Sequence, residues 1–80
     1  MSNIEEEVIN IIAEQLGADK ATITRDTHIA NDLGADSLDN AELMIAFEEK
    51  FSIDIDESEA QNIATVGQVI DHIQAAAGNG

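Results

Sequence analysis

The chain has no cysteine, only three basic residues and no long hydrophobic run. Without cysteine there is neither a disulfide framework nor a thiolate metal site, so stability must come from side-chain packing. No apolar stretch approaches the roughly 20 residues of a membrane span. The opening Met1-Ser2-Asn3-Ile4-Glu5-Glu6-Glu7 lacks the basic segment of a signal or transit peptide. A mature protein without membrane insertion is expected, cytoplasmic or, after removal of a transit peptide, in an organellar stroma or matrix.

Three basic residues stand against 17 acidic ones, for a formal charge of −14. Such a surface repels nucleic-acid phosphates and anionic lipid headgroups, so macromolecular partners are expected to present basic patches. Solubility explains part of this charge, but not where the carboxylates cluster. The 44% hydrophobic content is too high, and too regularly spaced, for a disordered acidic tail. In 80 residues it suffices for one core, so 1–80 reads as a single domain.

Ile4, Val8, Ile11, Ile12 and Leu16 fall on one side of a 3.6-residue helix. Ser2 with Glu5 reads as a capping box and Gly17 as the stop, which predicts a first helix over about 3–16. Residues 17–36 show no sustained periodicity and read as a long loop anchored by Ile23, Ile29 and Leu33. The stretch 21–24 could pass for a strand but lacks a partner, so no sheet is expected.

A second helix is predicted over about 37–51, with Leu43, Phe47 and Phe51 as its core stripe. At 100° per residue, Leu38, Ala41 and Ile45 fall nearly opposite, flanked by Glu42 and Glu49 on one side and Glu48 on the other. Single exposed apolar residues are common. Three in line beside an acidic border indicate docking. Asp56 with Glu59 reads as the cap of a short third helix, about 57–62. Thr65 with Gln68 caps a last helix over about 66–77, whose apolar positions are Val66, Val69, Ile70, Ile73 and Ala77. Gly78-Asn79-Gly80 ends it. The expected fold class is all-α: a small bundle of three longer helices and one short one, with a long loop between the first two.

No catalytic set is visible. His28 and His72 sit in no recognisable motif, and Ser37 lacks the G-x-S-x-G elbow of a hydrolase. Asp54, Asp56 and Ser58 match the first, third and fifth positions of a calcium loop, but Glu59 and Thr65 stand where Gly and a bidentate Glu are required. No dedicated metal site is expected.

A serine opening a helix is ordinarily just a cap. Here, however, Asp32-Leu33-Gly34-Ala35-Asp36-Ser37-Leu38-Asp39, followed by Glu42-Leu43, closely resembles the modification-site motif of bacterial and organellar acyl carrier proteins, those of the dissociated fatty acid synthase. The opening Ile4-Glu5-Glu6-Glu7-Val8, Glu14-Gln15-Leu16-Gly17, the Glu48-Glu49 pair and Thr65-Val66 extend the likeness over nearly the whole chain.

The resemblance implies that Ser37 receives 4′-phosphopantetheine from coenzyme A through a phosphopantetheinyl transferase, and that the arm's thiol holds fatty acyl chains as thioesters. It implies a non-enzymatic carrier, expected to be monomeric, that docks on fatty acid synthesis enzymes and acyltransferases. Docking would use Asp36, Asp39, Glu42, Glu48 and Glu49 with Leu38, Ala41 and Ile45. Phe47, Ile55, Ala60, Ile63 and Ile70 would line an acyl pocket, although plain core explains each equally well. Two departures stand out: Asp56, where many relatives carry proline, and Ala41, where a larger apolar residue is frequent. The alternatives are a carrier of polyketide or aminoacyl cargo and an acidic interaction or calcium-binding domain.

Overall fold

The computed structural model describes residues 3–77. The Ser2 cap and the Gly78-Asn79-Gly80 terminus fall outside the described residues, as does the side chain of Ala77. The α-helices are α1 (Ile4–Leu16), α2 (Ile29–Leu33), α3 (Ser37–Phe51), α4 (Glu57–Gln61) and α5 (Val66–Ala77), with a 3-10 turn at Lys20–Thr22.

At the start of α1 the side chain of Asn3 is the cap, its Oδ1 accepting from the Glu5 N–H at 2.9 Å. Glu5, Glu6 and Glu7 crowd the first turn, where the helix dipole favours negative charge. Gly17 ends the helix at φ 66°, a left-handed conformation that glycine adopts without a Cβ penalty.

Segment 17–36 is more ordered than the expected loop. Asp19 Oδ1 caps the 3-10 turn by accepting from the Ala21 N–H at 3.0 Å. Asp32 Oδ2 reaches back to the His28 N–H at 2.8 Å at the start of α2. The bundle therefore gains a second short helix. At five residues α2 is too short to show a helical period, so local capping and burial create it.

Ile23 and Ile29 are buried and Leu33 is half-buried against the core. Backbone pairing pins the rest: Ile29 N–H to Ala64 O at 3.0 Å, Val66 N–H to Thr27 O at 3.0 Å and Gly67 N–H to Arg25 O at 2.9 Å. These contacts surround an isolated antiparallel bridge between His28 and Thr65. Among the described residues there is no strand.

The core lies between α1, α3 and α5. Val8, Ile12, Leu43, Phe47, Val66, Val69, Ile70 and Ile73 are all fully buried. At the head of α5, Gln68 Oε1 accepts from the Thr65 N–H at 3.0 Å and Thr65 Oγ1 accepts from the Gln68 N–H at 3.2 Å. Among the described residues, no helix is long and apolar enough to cross a membrane.

Candidate functional site

Ser37 is delivered by a short chain of local devices. Gly34 closes α2 at φ 71°, which an L side chain adopts only with strain, and its N–H bonds to Ala30 O at 3.0 Å. Ala35 then tucks into the core. Asp36 is the cap of α3: its Oδ1 accepts from the Asp39 N–H at 2.9 Å, while Asp39 Oδ2 accepts from the Asp36 N–H at 3.2 Å.

A serine that opens a helix is ordinarily its cap, but the cap of α3 is Asp36. Asp36 takes that duty because its carboxylate reaches the third N–H of the helix. Ser37 is therefore the first helical residue, exposed, and its hydroxyl enters no hydrogen bond among the described residues. The backbone N–H groups of Ser37 and Leu38 likewise have no protein acceptor there. Unpaired N–H groups at the positive end of a helix dipole suit an anion such as a phosphodiester. The free hydroxyl beside them is an accessible nucleophile.

Two clefts meet at Ser37. The larger, about 400 Å³, lies between α3 and α4, with Met44, Ile45, Ile55 and Ala60 among its walls. The smaller, about 280 Å³, lies toward α2 and includes Ile63, His28 and Asn31. The five expected pocket residues are thus divided. Ile55 and Ala60 line the larger cleft and Ile63 the smaller, whereas Phe47 and Ile70 are fully buried and line neither.

Met44, not singled out in the sequence, is buried and lines the larger cleft. Its signal is faint: it lies 100° from Leu43, at the margin of the core stripe. Asn40 borders both clefts and carries no pattern of its own.

The outer face of α3 carries the apolar strip. Leu38 is 65% exposed and Ile45 53%, the large hydrophobic residues left in solvent among the described residues, and Ala41 lies exposed between them. The acidic border is not uniform. Asp36 and Asp39 are held in the cap, and Glu48 is half-buried, with Oε2 accepting from the Ile55 N–H at 2.8 Å. Glu42 and Glu49 are exposed and form no side-chain hydrogen bond or ion pair among the described residues.

A family model described as the phosphopantetheine attachment site matches residues 6–73. The chain belongs to the acyl carrier protein family. Acyl carrier proteins from two strains of Porphyromonas gingivalis are each 45% identical to it over 74 residues, covering 92% of this chain and 95% of theirs. A solved structure assigned as an acyl carrier protein from Mycobacterium tuberculosis superposes with a TM-score of 0.86 at 36% identity, over 91% of this chain and 97% of that one.

The apo doublet acyl carrier protein from prodigiosin biosynthesis shares the fold at a TM-score of 0.80 and 24% identity, over 92% of this chain and 36% of that one. In this family the cofactor is 4′-phosphopantetheine, whose terminal thiol supplies the thioester chemistry that a chain without cysteine cannot.

Proposed function

We propose that Ser37 is the attachment residue and that the chain carries growing fatty acyl groups as thioesters among fatty acid synthesis enzymes. The observation that carries this reading is the division of labour at the head of α3. Asp36 does the capping and leaves Ser37 exposed, its hydroxyl free among the described residues beside N–H groups that are unpaired there.

A phosphopantetheinyl transferase and the synthesis enzymes then dock on one face. Leu38, Ala41 and Ile45 supply apolar contact, while Glu42 and Glu49 meet basic patches. Asp36, Asp39 and Glu48 add to the field while holding the local backbone. Exposed ion pairs are each worth only about 0–1 kcal/mol, which suits fast and reversible docking to several enzymes. Cargo retreats into the larger cleft past Met44, Ile55 and Ala60, with Ile63 at the other cleft, and it reaches Phe47 and Ile70 only if the core parts to admit it. The carrier acts as a monomer in the cytoplasm.

The test is intact mass before and after incubation with coenzyme A and a broad-specificity phosphopantetheinyl transferase. A gain of one phosphopantetheine that maps to Ser37, and is lost in Ser37→Ala with helicity retained, is the expected result. Modification of Ser37→Ala would overturn the assignment. Loading of the modified protein with fatty acyl, polyketide or aminoacyl donors then identifies the cargo.

A further inference from the structure

The short helix α4 forms one wall of the larger cleft beside Ser37, through Glu57, Ala60 and Gln61. It has little to hold it, because none of its residues is buried. Ala60 and the following Ile63 are only half-buried against the core. A single polar contact on this helix therefore weighs more than it would elsewhere.

That contact is with α5. Among the described residues His72 Nε2 is buried without a hydrogen-bond partner, and Glu59 Oε1 stands 3.7 Å from it. Buried polar atoms are nearly always paired, and 3.7 Å is beyond hydrogen-bond length. The same Glu59 oxygen already accepts from the Asp56 N–H at 3.1 Å, so it both starts α4 and faces α5.

The other charged groups of the elements meeting here are differently engaged. Asp71, next to His72, bonds Arg25 at 2.7 Å, and Glu5 of α1 faces the same guanidinium at 3.8 Å. Asp56 and Glu57 flank Glu59 on the α4 side, but among the described residues only Glu59 brings a carboxylate oxygen within 4.0 Å of the His72 ring nitrogens. The other imidazole, His28, faces Asp32 at 3.8 Å.

We infer that His72 and Glu59 form a proton-operated latch that fastens α4 to α5 and thereby sets how readily the cleft beside Ser37 opens. An imidazolium donates its Nε2–H to the Glu59 carboxylate, and a closure of less than about 1 Å completes a charge-assisted hydrogen bond. A neutral ring loses that charge assistance: as the Nε2–H tautomer it offers only an ordinary hydrogen bond, and as the Nδ1–H tautomer it turns a lone pair toward the carboxylate, so α4 is held more weakly. The latch is closed while the His72 ring carries its second proton and is loosened when the ring loses it. Its meaning for cargo rests on the carrier reading; the contact itself does not.

The experiment is backbone hydrogen exchange of the unmodified full chain at about pH 5.5 and 7.5, corrected for intrinsic rates. Amides of 57–63 are read relative to those of the α3 core. Relative protection of 57–63 is expected to be roughly two- to fivefold higher at the lower pH. His72→Gln and Glu59→Gln should abolish that difference, and His72→Lys should keep protection at both pH values. Thermal unfolding by circular dichroism verifies the fold of each variant, and Glu59→Gln, at an exposed position, carries the test should His72 variants unfold. A flat pH response in the wild type, or an unchanged one in Glu59→Gln, would overturn the latch. Failure to load Ser37 would instead remove the carrier reading and leave this result standing.

Discussion

Asp36 and Ser37 are neighbours with opposite assignments. The aspartate is consumed by backbone hydrogen bonds and the serine is spared them. Replacing Asp36 by Ala removes the acceptor for the Asp39 N–H, a loss of about 1 kcal/mol, within the 0.5–2 kcal/mol typical of caps. For a domain of this size that lowers Tm by roughly 4–8 °C, measurable by circular dichroism. An unchanged Tm would mean that another group caps α3. The motif around Ser37 can be read from the sequence because it is contiguous. The sharing of duties cannot, because aspartate and serine are both good caps and only backbone geometry selects one.

Among the elements, α3 was readable on both faces, since a 3.6-residue period reports burial and exposure together. Leu43 and Phe47 are buried while Leu38 and Ile45 are exposed. The unengaged Glu42 and Glu49 make this face the place to test docking. Glu42→Lys with Glu49→Lys is expected to slow transfer to partner enzymes several-fold and to flatten its salt dependence, as seen in transfer rates across ionic strength. Rates that remain unchanged at every salt concentration would exclude electrostatic docking there.

Gly67 of α5 illustrates a constraint between elements. A Cβ there would stand 3.0 Å from the Arg25 carbonyl oxygen and 3.3 Å from the Arg25 Cβ. That oxygen is itself held by the Gly67 N–H at 2.9 Å, so it cannot retreat without stretching the bond. Gly67→Ala is therefore expected to destabilise by about 1 kcal/mol in thermal or urea unfolding, the overpacking outweighing the gain in helix propensity. A stabilised variant would show that segment 17–36 yields easily.

For the molecule as a whole, the formal charge of −14 acts against compaction. The few basic residues are used to join elements. Arg25 ties the segment before α2 to α1 and α5 through Glu5 and Asp71, and Lys50 of α3 meets Glu7 of α1 at 3.5 Å. The Asp71 carboxylate hydrogen-bonded to its guanidinium raises the Arg25 pKa further above its ordinary value, so this tie keeps its positive charge throughout any working pH range. Raising salt from low to moderate strength screens the excess repulsion and is expected to raise Tm by on the order of 5 °C. A flat melting temperature would show that the repulsion is already relieved.

By itself the sequence determined what repeats or adjoins along the chain: the helical class, the core stripes of α1, α3 and α5, the apolar strip of α3 with its acidic border, and the motif that centres on Ser37. Each is a local pattern, and side-chain period and capping chemistry act over only a few residues. The tertiary structure decided what depends on distant partners. The backbone pairing of Thr27 and Ile29 with Val66 and Ala64 turns a predicted loop into an ordered segment. The separation of Ile55 and Ala60 from Ile63 into two clefts, and the meeting of Glu59 with His72, arise the same way. Such contacts form only when elements far apart in the chain pack on a common core, and neither periodicity nor composition encodes which side chains then face one another.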